Sequence, residues 1–344
     1  MKKKSIKKNY IYNMLYQLLV ILLPIITTPY LARRLGANGN GTFGYTVSIV
    51  TYFILFGSLG IAMYGQREIA YNQNNKEKRS KIFWELFIIK TITMIISSIV
   101  FFIVFGISGN YAIYYRILLL EMLANALDIS WFYQGMEDFK KIVIRNFIIK
   151  IISVICIFSF IKGPSDLQTY MYIYVCSTLF GCLTLWVGIW KHIEKPNNLK
   201  FLYHIPLTIS LFIPQIAIQV YTVLDKTMIG GILNDMNEVG YYEQAQKIVK
   251  ILLTVITAVS TVMMPRIANC YAEGNKEKIK VYMKKTFNFI FILAFPLMFG
   301  IISVSDKFVP LFFGQGYDKV ALIMSVISPI ILFIGMSNVI GTQY

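Results

Sequence analysis

Ten stretches of about twenty mostly apolar residues follow one another along the chain, near 10–31, 42–64, 82–105, 113–135, 142–162, 168–190, 205–230, 240–264, 286–304 and 320–342. A bilayer core about 30 Å thick takes about 20 such residues per helix. Inside lipid the backbone must satisfy its own hydrogen bonds, which leaves helices or closed barrels. Runs this long predict helices, and so an all-α, polytopic integral membrane protein. Composition agrees: of 344 residues 56% are apolar and 15% charged, against about 45–50% and about 25% in soluble domains. A soluble enzyme, a nucleic-acid binder and a disordered tail are set aside. The first run follows Met-Lys-Lys-Lys but has no small-x-small cleavage site and is too long for a signal peptide, so it is expected to be retained.

Net charge is +16, from 33 Lys and Arg against 17 Asp and Glu. Most of these bases sit in short loops. With the N-terminus inside, 21 of them fall on the cytoplasmic side and 4 (Arg33, Arg34, Lys307 and Lys319) outside, which the positive-inside rule turns into an orientation. Trp84, Trp131, Trp186 and Trp190 fall near the same side, as an aromatic belt would. Three of the four cysteines (Cys156, Cys176, Cys182 and Cys270) lie in apolar runs, and no disulfide framework or metal spacing is visible.

The chain repeats itself at just under 200 residues. Asn38 with Gly44-Tyr45 recurs as Asn234 with Gly240-Tyr241, and Asn75-Lys-Glu-Lys as Asn275-Lys-Glu-Lys. Ile69-Ala70 recurs as Ile267-Ala268, and the paired prolines Pro24 and Pro29 of the first span as Pro206 and Pro214 of the seventh. Spans one and seven cross in the same direction, which predicts two parallel six-helix repeats with a site between them. The expected lobes are 1–200, with six spans, and 201–344, with four; the second repeat reads as truncated.

Charge at mid-bilayer costs at least about 2.5–3.5 kcal/mol per residue, so a charged side chain there faces a cavity or a partner. In the eighth span Glu243, Lys247, Lys250, Thr254, Thr257 and Thr261 keep one helical face over five turns. The fourth span has Glu121, Asn125 and Asp128, and the fifth answers with Asn146, Lys150 and Ser153 at the same spacing. Counting depth from the loops puts Lys90, Asp128 and Lys150 near one level, and Asp225 beside Lys247. The acids have a plain reading as ion pairs, Asp128 with Lys150 and Asp225 with Lys247 or Lys226. Arg145 and Lys162, near span ends, can snorkel, and Glu85 is expected near the surface. Even so the bases outnumber the acids, and a surplus of cations predicts a visiting anion. Candidate cavity residues are therefore Lys90, Arg116, Lys150, Lys226, Lys247 and Lys250. Glu121, Asp128, Asp225 and Glu243 are coupling or ion-pair carboxylates. Pro24, Pro29, Pro206 and Pro214, with Pro296, are expected to kink helices and to serve as hinges or plain structure. His192 and His204 share one loop, so no buried histidine relay is expected. No nucleotide loop, metal cluster or Ser-His pair is visible, and no catalytic residue, metal or cofactor is expected.

Several blocks carry a family. Thr28-Pro-Tyr-Leu-Ala-Arg-Arg-Leu-Gly36 resembles the first-helix signature of polysaccharide repeat-unit (Wzx-type) flippases, of the superfamily that holds multidrug (MATE-type) exporters and the lipid II flippase. Tyr64-Gly-Gln-Arg-Glu-Ile-Ala70, Asp128-Ile-Ser-Trp-Phe-Tyr-Gln-Gly135, Ile213-Pro-Gln215 and Tyr221-Thr-Val-Leu-Asp-Lys226 look like further blocks. So do Gly240-Tyr-Tyr-Glu-Gln-Ala245, Val262-Met-Met-Pro-Arg266 and Gly341-Thr-Gln-Tyr344. The resemblance covers essentially the whole chain. It implies two lobes of helices around a central cationic cavity open alternately to each side of a bacterial cytoplasmic membrane. It implies as substrate an undecaprenyl-diphosphate-linked oligosaccharide, moved from the cytoplasmic to the outer leaflet for O-antigen, capsule or exopolysaccharide. Its further helices after Gly-Thr-Gln-Tyr have no counterpart here. A glycan polymerase and glycosyltransferases of the same pathway would be partners, and nucleic acid would not. The alternatives are a small-molecule exporter on the same scaffold, for which a basic cavity is the wrong sign for cationic drugs, and a membrane-embedded glycan polymerase or ligase, for which the outer loops carry little chemistry.

Overall fold

The computed structural model describes residues 6–196 and 198–341, with side chains from Leu22 onward except 258–262, 264–266, 268, 272 and 340–341. Lys2, Lys3, Lys4, the side chain of Thr261 and the closing Thr342–Tyr344 lie outside the described residues. Every regular element described is helical: α1 (Ile6–Ser58), α2 (Ile61–Tyr71), α3 (Lys76–Phe101), α4 (Ala112–Leu127), α5 (Ser130–Gly135) and α6 (Phe139–Phe160), then α7 (Leu167–Trp186), α8 (Ile205–Leu233), α9 (Met236–Ala272), α10 (Lys276–Phe313), α11 (Asp318–Ile327) and α12 (Ile330–Gly341). Each of the ten expected spans falls on helix. Among the described residues seven helical segments are long and apolar enough to cross a membrane, and one of them, Leu22–Ser58, contains most of the second expected span and part of the first. The fourth span is a 16-residue α4, and the eighth is the long α9 that carries the polar stripe.

Several helix boundaries differ from the expected ones, including a turn at Ser328-Pro329 inside the expected span 320–342, and three of them have a clear local cause. α1 leaves helical geometry at Gly36 (φ 70°, ψ 178°) rather than at Pro24 or Pro29, a backbone conformation glycine adopts without a Cβ penalty. The Asn40 amide donates to the carbonyls of Leu31 (3.0 Å) and Gly36 (2.8 Å) around that break. The expected span 42–64 turns at Leu59 and Gly60, both at positive φ. The expected span 113–135 is broken after Leu127, where Asp128 is extended. There Trp186 Nε1 donates to the Leu127 carbonyl and Lys90 Nζ to that of Asp128, both at 2.8 Å. Side-chain donors thus replace the helical ladder, as buried carbonyls require. Pro206, expected to kink the seventh span, lies in the first turn of α8, where a missing N–H costs nothing. Pro214, Pro296 and Pro310 do lie inside helices.

Packing divides the chain into two compact units: Met1–Thr27 with Thr42–Met236, and Thr28–Gly41 with Asn237–Tyr344. In this division α8 groups with the first unit, and a short piece of α1 with the second. In the first unit Trp131, Phe83, Phe132 and Tyr133 are fully buried with Ile61, Tyr64 and Leu86. Trp131 is therefore core and not belt: a Cβ on Gly65 would sit 2.5 Å from its ring. Trp84 donates to the Glu194 carbonyl and Trp186 to that of Leu127 at the end of α4, and Trp190 alone of the four is broadly exposed, at 63%. In the second unit Ala32 of α1 is buried with Ala245, Ile256, Ile290, Phe313 and Tyr317. Exposed isoleucines at helical steps, Ile92, Ile96, Ile99 and Ile103 along α3 and its continuation, give the first unit an outward apolar face of the kind that lipid wants.

The repeat recurs as structure inside each unit. Asn75 caps α3 by accepting from the Lys78 N–H at 2.9 Å, and Asn275 caps α10 by accepting from that of Lys278 at 3.0 Å. Tyr45 meets Tyr111 edge-on at 6.0 Å, just before α4, and Tyr241 meets Tyr317 edge-on at 6.0 Å, just before α11.

Candidate functional site

A polar cavity of about 320 Å³ lies within the first unit, among α4, α6 and α7. From α4 comes Asn125, from the break just after it Asp128, from α6 Arg145, Asn146, Lys150 and Ser153, and from α7 Tyr174, Ser177 and Thr178. The two stripes expected to face one another therefore do. Their i, i+3, i+4 spacing sets them on one side of each helix, and the other side of α6 is the exposed apolar row Ile148, Ile151, Ile152 and Ile155. Glu121 stands one turn before Asn125. It is 7% exposed, and its Oε1 accepts from the Tyr174 hydroxyl at 2.8 Å while its Oε2 has no hydrogen-bond partner.

The expected Asp128–Lys150 pair is replaced by a different arrangement. The Asp128 carboxylate accepts from the Ser130 N–H (3.0 Å) and hydroxyl (2.8 Å), and Arg145 Nη1 is 4.0 Å away. Arg145 does not snorkel outward; its Nε donates to Asn146 Oδ1 at 2.9 Å. Lys150 is half-buried and lines the same cavity without a carboxylate contact of its own. The lining thus combines amides, hydroxyls and two cations with one carboxylate, a set that hydrogen-bonds hydroxyl-rich or anionic groups.

Two of the candidate bases serve the fold. Lys90, 4% exposed, is held on the Asp128 carbonyl. Arg116 is exposed and donates to the carbonyls of Gly106 (2.8 Å) and Ile107 (3.1 Å), closing the end of the third span instead of facing a substrate. Lys226 is half-buried beside the exposed Asp225 on α8.

In the second unit α9 keeps the predicted stripe. Glu243 is buried and Lys247 Nζ lies 3.4 Å from it; Lys250 is exposed and donates to Gln246 Oε1 at 3.1 Å. The opposite side of α9, with Ala245, Ile248, Val249 and Ile256, is buried in the unit's core. The stripe therefore faces away from that core.

A buried histidine network exists where none was expected. His204 is 5% exposed, with Nε2 2.9 Å from Glu85 Oε2 and Nδ1 2.9 Å from the Tyr64 hydroxyl. Glu85, expected near the surface, is 3% exposed, and its other oxygen accepts from the Lys200 N–H. Among the described residues no group of three metal-ligating side chains is assembled.

The comparisons with known proteins agree with one another. A family model described as "Polysaccharide biosynthesis protein" matches residues 6–271, and one described as "MatE" matches 211–343. The chain is 24% identical to a putative O-antigen transporter of Escherichia coli (strain K12) across 99% of this chain and 83% of that one. It is 23% identical to a probable low-salt glycan biosynthesis flippase of Haloferax volcanii, across 87% of this chain and 63% of that one. The solved structure of the lipid II flippase MurJ in an inward closed conformation superposes with a TM-score of 0.72 at 17% identity, over 97% of this chain and 75% of that one. An inward-facing multidrug-resistance MATE family transporter superposes with a TM-score of 0.62 at 14% identity, over 94% and 82%.

Proposed function

The chain belongs to the polysaccharide biosynthesis protein family, whose model matches well over half of it, and from that premise we propose that it is a flippase for lipid-linked oligosaccharides. The observation that carries the reading is the cavity of α4, α6 and α7, where Asn125, Asn146, Ser153, Tyr174 and Lys150 present hydroxyl, amide and cationic groups between helices of which two, α6 and α7, are long and apolar enough to cross a membrane. Such groups are costly in lipid and are retained for a polar or charged visitor. Sugars meet the amides and hydroxyls. The anionic link to the lipid takes charge-assisted hydrogen bonds from Lys and Arg; Lys150 in the first unit, and Lys247 and Lys250 in the second, are each taken as such a cation.

The protein sits in the bacterial cytoplasmic membrane with its N-terminus inside, supported by the 21 bases assigned to that side against 4. Rocking of the lobe 1–200 against 201–344 switches access from one leaflet to the other, with Pro24, Pro29 and Pro214 as flexible points. Glu121, whose second oxygen lacks a partner, carries a coupling proton. Glycosyltransferases supply the substrate and a polymerase consumes it.

The test is made in cells that depend on the chain for surface polysaccharide. Lys150→Ala, and Lys247→Ala with Lys250→Ala, abolish the polymer while leaving the protein's abundance unchanged; wild-type polymer in both rejects these residues. The MatE match supports a second reading, a small-molecule exporter. A change in drug resistance on deletion, with polysaccharide intact, would favour it.

A further inference from the structure

A second cavity, of about 570 Å³, opens between α6 and α7 in the first unit, where it is lined by Lys140 and Lys141. One wall is apolar, made by Ile144, Ile148, Ile149, Leu185 and Val187. Ile144 is 40% and Ile148 50% exposed, and the same outward row continues along α6 through Ile152 and Ile155. The other wall is charged: Lys140, Lys141 and Arg145 against the single acid Asp138. The cavity lies at the start of α6, whose positive dipole end adds to the field of those cations. A soluble anion would leave the isoleucine trough empty, and an alkyl chain alone would leave Lys140 and Lys141 without an anion. An amphiphile with an anionic head satisfies both. Basic pockets between transmembrane helices on the cytoplasmic side are where anionic lipid headgroups settle.

Two details narrow the head. Lys141 Nζ lies 4.6 Å over the Tyr133 ring, and Gly188, at φ +86°, offers no side chain where a Cβ would stand 4.0 Å from that ammonium. The ammonium is thus oriented, with room for a ligand beside it. Arg145 lines this cavity and the polar cavity of α4, α6 and α7 alike. A head seated on Lys140 and Lys141 therefore has the hydroxyl- and amide-lined space on the other side of Arg145. With Arg145 already turned to Asn146 and Asp128, the two lysines Lys140 and Lys141 remain for the head, and two cations fit more than one negative charge.

We propose that this cavity is the seat in which a lipid bearing a diphosphate headgroup is loaded, its tail along Ile144 and Ile148, its phosphates on Lys140 and Lys141, and any attached sugar directed to the polar cavity. The proposal rests on the flippase reading and adds to it a place of entry separate from the α9 cations.

The full chain is reconstituted in vesicles of phosphatidylethanolamine doped with a polyprenyl diphosphate, a polyprenyl monophosphate or phosphatidylglycerol, and the lipid it retains is read by native mass spectrometry. Wild type retains the diphosphate in preference to the other two. Lys140→Gln with Lys141→Gln lowers retention roughly thirtyfold, the worth of two cations facing an anionic head. Lys284→Gln with Lys285→Gln, an equal loss of charge on α10, changes nothing. Ile148→Trp fills the trough, leaves every cation in place and also lowers retention. Equal retention of phosphatidylglycerol and diphosphate overturns the proposal in favour of an ordinary anionic-lipid site. Unchanged retention in both cavity variants removes the seat and leaves the flippase reading standing; no retention by wild type removes both.

Discussion

Glu85 and His204 are the residues whose loss the structure predicts most directly. Both are buried, and removing one leaves the other's polar atoms, and the Lys200 N–H, without a partner. Glu85→Ala is expected to cost about 3 kcal/mol, and Tyr64→Phe, which deletes one hydrogen bond, about 1 kcal/mol. Thermal unfolding of the detergent-purified protein checks both, and equal melting temperatures would contradict the network. A second contrast separates fold from transport. Lys90→Met orphans the carbonyl at the α4–α5 break and is expected to lower abundance, whereas Lys150→Met keeps abundance and lowers polysaccharide export. Immunoblots beside a surface-glycan assay read the two apart. The stripes of α4 and α6 were legible because their partners repeat at helical spacing within each segment. The roles of Lys90, Arg116 and His204 were not: Lys90 is 38 residues from Asp128, His204 is 119 from Glu85, and no local pattern links them. A buried lysine that faces a carbonyl and one that faces a cavity look alike in sequence.

At the scale of elements, the repeat was the most informative signal, since Asn75 and Asn275 turn out to cap equivalent helices and Tyr45 and Tyr241 to meet equivalent tyrosines. Asn75→Ala and Asn275→Ala should each cost about 1 kcal/mol, the usual worth of an N-cap, measurable as two similar drops in melting temperature. Gly240 has a sharper reason to be glycine: a Cβ there collides with the Ala37 carbonyl oxygen, and backbone cannot step aside. Gly240→Ala is expected to destabilise by about 2 kcal/mol, in the range of core overpacking, while Gly231→Ala, which meets nothing within 4 Å, is expected to be tolerated. The break at Gly36 was not legible, because a glycine inside an apolar run marks either a tolerated helix residue or a turn. Which it is depends on Asn40 being placed to donate to the freed carbonyls.

At the scale of the whole molecule, packing and chain order do not coincide. The second unit is completed by Thr28–Gly41 of α1, far away in sequence. Ala32 lies in that unit's core, its carbonyl accepts from the Tyr317 hydroxyl at 2.7 Å, and Arg33 Nη2 donates to the Leu311 carbonyl at 2.8 Å near the end of α10. A C-terminal fragment without this piece has an open core and an uncapped helix end. The chain offers a natural place to cut, the exposed left-handed Asn234 between α8 and α9. Expressed alone, 235–344 is therefore expected to be degraded, because local opening feeds proteolysis. Expressed together with 1–234 it should accumulate and co-purify with it. Arg33→Ala combined with Tyr317→Phe should weaken that rescue without touching the fragment's own helices. A 235–344 fragment that is stable and folded by itself would show that the borrowed turns of α1 are not part of the second unit's core.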